Sequence, residues 1–231
     1  MHTADLYDAV YSFKDYAEEV SVLNRYLDDL GISSGSMLEL ACGTGEYLKG
    51  FERFNRTGID LCSRSLEIAQ SKIPEMEAFQ QDMTTFSTGK KYDVVLAVFG
   101  AVGYIGPDKL IEFFRRCQLH LKDRGVLVLE PWLTKDDFEP GTFLMEGRIA
   151  GQRFNRLAKA SDQNGMSVLE FTYIYVDGNS VQTSYSEDRL FLHDRKMLLT
   201  CLDEANFEIS GAHGGFLEKS TIFILKKAKK D

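Results

Sequence analysis

An apolar run that ends in a glycine turn occupies residues 37–45, which read Met37-Leu38-Glu39-Leu40-Ala41-Cys42-Gly43-Thr44-Gly45. A short, continuously apolar run is typical of a strand that is buried on both faces of a parallel sheet. The Gly-x-Gly turn that follows lets the backbone approach a ligand where a Cβ atom would collide. Because ligands of open α/β sheets bind at the carboxyl ends of the strands, this turn predicts a binding site.

Three more apolar runs follow along the chain, and stretches with helical periodicity separate them. The runs lie at residues 57–60, 92–100 and 125–130. Before the glycine turn, apolar residues recur at steps of three and four between Tyr16 and Leu30, which predicts an N-terminal helix. Strands that alternate with helices are typical of a parallel sheet covered on both faces, so the predicted fold class is α/β and Rossmann-like.

After Pro131 the pattern changes to a period of two, and Asn164-Gly165 is a strong hairpin signal. These features predict an inserted antiparallel β subdomain of three or four strands. We therefore divide the chain into three parts. Residues 1–141 are the cofactor-binding α/β core with an N-terminal helical lid, residues 142–191 are the substrate or dimer region, and residues 192–231 are the C-terminal helix and the last two strands of the core sheet.

Composition and charge exclude several classes of protein. The 27 Lys and Arg residues against 35 Asp and Glu residues give a formal net charge of -8, which argues against nucleic acid as a partner. No apolar run approaches the roughly 20 residues that cross a bilayer, so no membrane partner is expected. The four cysteines form no C-x-x-C pair, and no His/Cys cluster has metal-ligand spacing, so we expect reduced thiols, a cytoplasmic location and no metal.

Three residues near strand ends indicate which ligand the edge binds. Leu48 stands where a dinucleotide fingerprint has its third glycine, which favours a cofactor without a pyrophosphate. Asp60 ends the second strand, where a carboxylate accepts ribose hydroxyls. Asp82-Met83 follows a further short run, Ala78-Phe79-Gln80-Gln81, which is the third strand of the series, and suits an adenine amino group and its ring. Each acidic residue taken alone also fits a turn or a helix entry, but the ordered set predicts S-adenosylmethionine.

The glycine loop with Asp60 and Asp82-Met83 resembles the class I S-adenosylmethionine-dependent methyltransferases. More narrowly, the chain resembles the N,N-dimethyltransferases of nucleotide-linked amino sugars such as the desosamine and mycaminose precursors. That narrower resemblance rests on Leu6-Tyr7-Asp8, Lys14-Asp15-Tyr16, Gly103 and Glu130-Pro131-Trp132. The resemblance implies the seven-stranded class I methyltransferase sheet, a homodimer, and a small-molecule substrate that is a nucleotide-linked sugar.

The resemblance also implies which residues contact the cofactor. The N-terminal tyrosines close over it and its methionyl carboxylate, the glycines lie under the methionyl part, and the end of the fourth strand borders the sulfonium. The expected cofactor-binding residues are Tyr7, Tyr16, Glu39, Ala41, Gly43, Gly45, Asp60, Leu61, Asp82, Met83, Val98 and Phe99.

For the acceptor, Tyr104 and Glu130 are the candidate catalytic residues, and Tyr16, Trp132 and Lys219 are the candidate substrate-binding residues. Each has a plainer alternative, such as a loop aromatic for Tyr104, a surface carboxylate for Glu130 and core packing for Trp132. The chain also departs from the sugar N-methyltransferases, since it has Gly100-Ala101-Val102-Gly103-Tyr104 where they tend to have two serines and a histidine. This departure concerns the acceptor and leaves cofactor binding unaffected.

Methyl transfer from a sulfonium is an in-line displacement with a good leaving group, so alignment at about 3 to 3.5 Å supplies much of the rate enhancement. The sequence has no Ser/His/Asp arrangement, which agrees with such chemistry. We therefore predict N-methylation of an amino sugar or a related amine. O-methylation of a small metabolite and a non-catalytic cofactor-binding protein are the alternatives, and Leu48 disfavours an oxidoreductase.

Overall fold

A computed structural model describes residues 3–149, 152–177 and 179–228. The N-terminal half contains α1 (Thr3–Val10), α2 (Tyr16–Asp29), β1 (Gly35–Leu40), α3 (Glu46–Gly50), β2 (Phe54–Asp60), α4 (Ser63–Lys72), β3 (Glu77–Gln80), β4 (Tyr92–Ala97), α5 (Leu110–His120) and β5 (Leu121–Leu129). The C-terminal half contains β6 (Gly141–Ile149), β7 (Gln152–Asp162), β8 (Met166–Asp177), β9 (Ser180–Phe191), α6 (Arg195–Glu204), β10 (Phe207–Gly214) and β11 (Thr221–Lys227). Short 3-10 turns lie at Ala101–Tyr104 and Pro107–Lys109.

The first sheet has seven strands in the order β10-β11-β5-β4-β1-β2-β3. The strands from β5 to β3 in this order are parallel, whereas β11 is antiparallel to both β5 and β10. Because β1 lies between β2 and β4, the strand order reverses beside β1, and a crevice opens at the carboxyl ends of these strands. The predicted Rossmann-like sheet of seven strands is confirmed.

Helices cover both faces of this sheet. Along β1, Leu38 and Leu40 face one side and pack with residues of α5 and α6, whereas Met37 faces the other side and packs with residues of α2, α3 and α4. The alternation along a strand buried on both faces explains why residues 37–41 read as a continuous apolar run. The sheet is therefore rigid and fixes the positions of the loops at its carboxyl edge.

The second sheet is antiparallel, in the order β6-β7-β8-β9, and confirms the predicted inserted β subdomain with four strands. The predicted turn at Asn164-Gly165 connects β7 to β8. One face of this sheet carries Phe154, Ala158, Phe171 and Tyr173, which are buried against α1.

Helix α1 lies between the two sheets. Its Leu6 and Val10 pack on the inner face of the second sheet. On the other side, Asp5 forms an ion pair with Arg64 of α4, and Asp8 forms one with Lys72 and accepts a hydrogen bond from Thr44 in the glycine loop. These contacts make α1 a wall of the space between the sheets. Within the described parts of the chain, no helix is both long and apolar enough to span a membrane.

Candidate active site

A cleft of ≈ 1440 Å³ lies where the carboxyl edge of the first sheet faces α1 and the inner face of the second sheet. Most of the residues predicted from the sequence line it. They are Tyr7, Tyr16, Glu39, Ala41, Gly43, Asp60, Leu61, Asp82, Met83, Val98, Phe99, Tyr104 and Trp132. The structure thus brings together residues that are separated by more than 100 positions in the sequence.

The two glycines of the turn have different surroundings. Gly43 has a φ of 53°, and a Cβ atom there would meet open space, so its backbone is open to the cleft. Gly45 has a φ of 79°, and its Cβ atom would lie 3.0 Å from the Cβ atom of Ala69 in α4. Gly45 is not among the residues that line the cleft, so its contact with the cofactor stays a prediction. Its missing side chain serves the turn and the packing of α3 against α4.

Asp60 is fixed at the end of β2 by two backbone hydrogen bonds. Gly43 N–H donates to Oδ2 and Cys62 N–H donates to Oδ1, each at 2.8 Å. A carboxylate has about four lone-pair positions, so each oxygen can accept one more hydrogen bond from the cleft side. This arrangement suits a ligand with two neighbouring hydroxyl groups, and the exposed side chain of Leu61 lies beside it.

Glu39 is a buried carboxyl group at the floor of the cleft, 3% exposed. Its Oε2 atom has no hydrogen-bond partner among the described residues. Burial, and next the nearby Asp60 carboxylate, raise the pKa of Glu39 well above its ordinary value. A buried acceptor without a partner is costly, and a cationic or hydrogen-bond-donating ligand would remove that cost.

Asp82 and Met83 follow β3 and line the cleft. Asp82 Oδ1 accepts hydrogen bonds from Thr84 N–H at 2.7 Å and Thr84 Oγ1 at 2.8 Å. These hydrogen bonds hold the pKa of Asp82 below its ordinary value, so the group is ionised at neutral pH. Met83 packs against the core beside Phe79 and offers an apolar surface to the cleft.

An aromatic wall surrounds the end of β4, and it contains a cation that the sequence reasoning did not assign. Phe99 contacts Tyr11 edge-on at 5.3 Å between ring centroids. The Nζ atom of Lys14 lies 4.1 Å from the Phe99 ring centroid and 2.7 Å from Glu19, which also accepts a hydrogen bond from Tyr47. Since aromatic faces attract cations, the Phe99 ring and Glu19 together hold the Lys14 ammonium in this wall. Lys14 belongs to the stretch Lys14-Asp15-Tyr16, on which the family resemblance partly rests, so that stretch could have identified it.

Beside this wall, Tyr104 is 53% exposed, and its hydroxyl lies close to the carboxylate of Asp188 of β9. Burial in the cleft raises the pKa of Asp188, although the Tyr104 hydroxyl and the charge of Arg156 on β7 oppose the shift. The sequence reasoning missed Asp188 and Arg156. The available signal was two charged side chains on strands whose alternate residues are apolar, but only the strand pairing shows that both face the cleft.

Trp132 lines the cleft and also closes the packing between the two sheets. Its ring packs on Gly100, its Cβ atom packs on Gly103, and its indole N–H donates to Ser167 Oγ at 2.8 Å. These contacts leave part of the indole for a ligand and fix its orientation.

The structure contradicts the prediction that Glu130 holds the acceptor. Glu130 is fully buried and does not line the cleft. Its Oε2 atom accepts from Phe99 N–H at 2.9 Å, and its Oε1 atom accepts from Phe216 N–H at 2.6 Å, Leu217 N–H at 2.9 Å and Ser220 Oγ at 2.7 Å. With its oxygens occupied by these four donors, the carboxylate joins the end of β4 to the loop before β11. Its role is structural.

Lys219 is likewise not placed at the acceptor. Its ammonium forms an ion pair with Glu139 at the surface, and it does not line the cleft. That Lys219 meets a substrate stays a prediction, which this placement does not favour. In the described parts of the chain, no group of three or more His, Cys, Asp or Glu side chains is placed to hold a metal ion.

Comparison with known proteins identifies close relatives. A family model described as a methyltransferase domain matches residues 37–125. The chain is 34% identical over 218 residues to the dTDP-3-amino-3,4,6-trideoxy-alpha-D-glucopyranose N,N-dimethyltransferase of Streptomyces venezuelae, and the match covers 92% of this chain and 89% of the relative. It is 27% identical over 220 residues to the dTDP-3-amino-3,6-dideoxy-alpha-D-glucopyranose N,N-dimethyltransferase of Streptomyces fradiae, covering 92% and 86% of the two chains.

Solved structures agree with these relatives. The crystal structure of Streptomyces venezuelae DesVI superposes with a TM-score of 0.91 at 25% identity and covers 99% of each chain. CalS10, an amino pentose methyltransferase from Micromonospora echinaspora solved with bound S-adenosylmethionine, has a TM-score of 0.83 at 24% identity, with 93% and 92% coverage. At that identity the second likeness shows the shared fold.

Proposed function

The chain belongs to the family of nucleotide-linked amino-sugar N,N-dimethyltransferases, and from this membership we propose that it methylates the amino group of a nucleotide-linked amino sugar. The predicted enzyme class, an S-adenosylmethionine-dependent methyltransferase, is confirmed by the same relatives and by the domain match. The observation that carries the proposal is the 34% identity to one such enzyme along 92% of the chain. Membership in this family disfavours the O-methyltransferase and non-catalytic alternatives.

The cofactor end of the cleft fits S-adenosylmethionine, which supplies a methyl group on a cationic sulfur when bound. We assign the ribose hydroxyls to Asp60, whose oxygens each keep an acceptor position on the cleft side. Asp82 and Met83 would bind the adenine amino group and ring. The unpartnered Oε2 atom of Glu39 would accept a hydrogen bond from the methionyl ammonium. In this assignment Ala41, Leu61 and the backbone of Gly43 complete the floor.

The remaining predicted cofactor contacts lie near the reacting atoms. Val98 and Phe99 end β4 and would border the sulfonium, and Tyr7 and Tyr16 of the N-terminal segment would cover the methionyl part. These side chains exclude water from the methyl group and keep its approach open from the side of Tyr104 and Trp132. Alignment of the acceptor nitrogen with the methyl carbon at about 3 to 3.5 Å then supplies much of the rate enhancement.

We further propose that residues 142–191 are the substrate and dimer region, residues 1–141 the cofactor-binding part with α1 as its lid, and residues 192–231 the part that completes the core sheet. The outer face of the second sheet supports a homodimer because it exposes large apolar side chains. They are Leu144, Leu157, Ile174, Val176, Val181 and Tyr185.

Two measurements test these assembly and location proposals. Light scattering should give twice the mass of one chain, and the double variant V181E/L144E should give the mass of one chain if this face is the interface. A single-chain mass for the unaltered protein would contradict the homodimer. The four free cysteines support a cytoplasmic location, which cell fractionation would check.

The function is tested with labelled S-adenosylmethionine and two acceptors, dTDP-3-amino-3,6-dideoxyglucose and the same nucleotide sugar with a hydroxyl in place of the amine. We expect label on the amino sugar and none on the hydroxyl analogue. Label on the hydroxyl analogue would support O-methylation instead. Calorimetry with the cofactor alone separates a failure to bind the cofactor from a wrong choice of acceptor.

A further inference from the structure

The inner face of the second sheet is apolar except at a few positions. Along β9, Asp188 and Leu190 point toward the cleft, and across β8 and β7 their neighbours are Leu169, Phe171, Ala158 and Ala160. Arg156 and Asp188 bring a guanidinium and a carboxylate to this face. Charged groups on an otherwise apolar cleft wall are costly unless they meet a partner or a ligand.

Arg156 is held mainly by aromatic rings. Its guanidinium carbon lies 5.0 Å from the ring centroid of Phe171 and 5.5 Å from that of Tyr11. No ion pair of 4.0 Å or less joins Arg156 to Asp188 in the described parts of the chain, although its charge acts on Asp188. Asp188, with the Tyr104 hydroxyl beside it, therefore keeps acceptor positions toward the cleft.

We propose that Asp188 binds the acceptor nitrogen and takes the proton that this nitrogen must lose before it reacts. The proposal rests on the proposed function, because it requires an amine as the acceptor. Tyr104 is on the 3-10 turn that follows β4, and its hydroxyl lies close to Asp188, so Asp188 is near the end of the strand that borders the proposed sulfonium site. An amine bound to Asp188 thus lies on the side from which the methyl group is open to attack.

The proposed step balances in atoms and charge. An N–H bond of the acceptor ammonium breaks and the proton passes to a carboxylate oxygen of Asp188. The freed lone pair forms the new N–C bond, while the C–S bond breaks and its electron pair stays on sulfur, which leaves a neutral thioether. Asp188 then releases its proton to water at the mouth of the cleft. The methylated ammonium can lose a second proton in the same way, which allows a second transfer.

The surroundings of Asp188 suit a proton acceptor. The groups that face it are Tyr104 from the turn after β4, Tyr11 from α1, Arg156 from β7 and Tyr173 from β8, with Glu187 adjacent on its own strand. Burial raises the pKa of Asp188 above its ordinary value, and a carboxylate with a raised pKa is a stronger base near neutral pH.

The test compares Asp188→Asn with Glu170→Gln. Both substitutions replace a carboxylate by an amide on the second sheet, but Glu170 is on the outer face, where it pairs with Lys159. With the dTDP-3-amino sugar, we expect D188N to lower kcat/KM at pH 7 about 100-fold or more, as for loss of a general base. The cofactor Kd of D188N should stay within about twofold, and E170Q should match the unaltered enzyme.

The pH profile separates a base from a merely structural residue. We expect the residual rate of D188N to rise about tenfold per pH unit up to the pKa of the free amine, because hydroxide in bulk solvent then does the deprotonation. Asp188→Glu, which keeps the carboxylate, should restore the flatter profile of the unaltered enzyme even if its rate is lower. If D188N does not fold, as judged by cofactor binding, the Glu variant still carries the test.

One result would contradict the role of Asp188, and a different result would contradict the proposed function. Equal kcat/KM for D188N and the unaltered enzyme on an amino sugar would remove the role of Asp188 and leave the proposed function intact. Absence of transfer by the unaltered enzyme to any amino-sugar nucleotide, with cofactor binding preserved, would remove the proposed function itself.

Discussion

The proposed cofactor end and the proposed acceptor end of the cleft hold their charged side chains by different kinds of contact. At the cofactor end, Asp60 and Asp82 each bind backbone N–H groups of the loops around them, so their carboxylates are fixed before a ligand arrives. At the acceptor end, Asp188 and Arg156 stand on an apolar sheet face, and their contacts are with the side chains of Tyr104, Phe171 and Tyr11.

This difference indicates how each end is specified. Backbone hydrogen bonds tie the cofactor end to the course of the chain, so its geometry follows from the glycine loop and the strand ends. Side-chain contacts on a separate sheet can change without disturbing the parallel core. The acceptor end is therefore where substrate preference can vary while cofactor binding stays the same.

We expect Glu130→Ala to disturb both ends of the cleft and to have the largest effect of the three substitutions, which is a loss of stability. The substitution leaves three buried backbone N–H groups without their acceptor, which costs about 3 kcal/mol or more. For a chain of this size that lowers the Tm by roughly 6 to 12 °C. Calorimetry measures it, with Glu139→Ala as a surface control. A Tm unchanged from that control would contradict the structural role of Glu130.

Asp60→Ala should affect the cofactor end alone. Hydrogen bonds that involve a charged group contribute about 1.5–3 kcal/mol, so the Kd for S-adenosylmethionine should rise about 10- to 150-fold. Isothermal titration measures it, and Glu77→Ala, which removes a carboxylate paired with the exposed Lys90, is the control. The KM for the acceptor at saturating cofactor should not change. An unaltered cofactor Kd would show that the ribose lies elsewhere.

We expect Tyr104→Phe to have a smaller effect, which is confined to the acceptor end. Loss of the hydroxyl removes its polar interaction with Asp188, worth about 1 kcal/mol, so kcat should fall about fivefold. The cofactor Kd should stay constant, and Tyr26→Phe on α2 provides a tyrosine control outside the cleft. Equal losses in cofactor affinity and kcat would argue against a position near the acceptor.

The residues of the cofactor end were predictable because each follows directly from its own strand. Asp60 and Asp82 come at the ends of consecutive strands, and parallel strands bring their carboxyl ends to one edge. The same reasoning was wrong for Glu130, which also follows a strand, and Gly45 follows a strand but packs against α4. A position next to the edge does not show whether a residue turns toward the cleft or toward the packing beneath it.

By itself the sequence determined the alternation of strands and helices, the inserted antiparallel strands and the cofactor edge, because these depend on patterns within a few residues. Tertiary structure alone decided the acceptor end. Arg156 and Asp188 come together only through the pairing of β7, β8 and β9, and Tyr104 joins them from the turn that follows a strand of the other sheet. Contacts between distant segments depend on register and on the placement of one sheet over another, which no local pattern records.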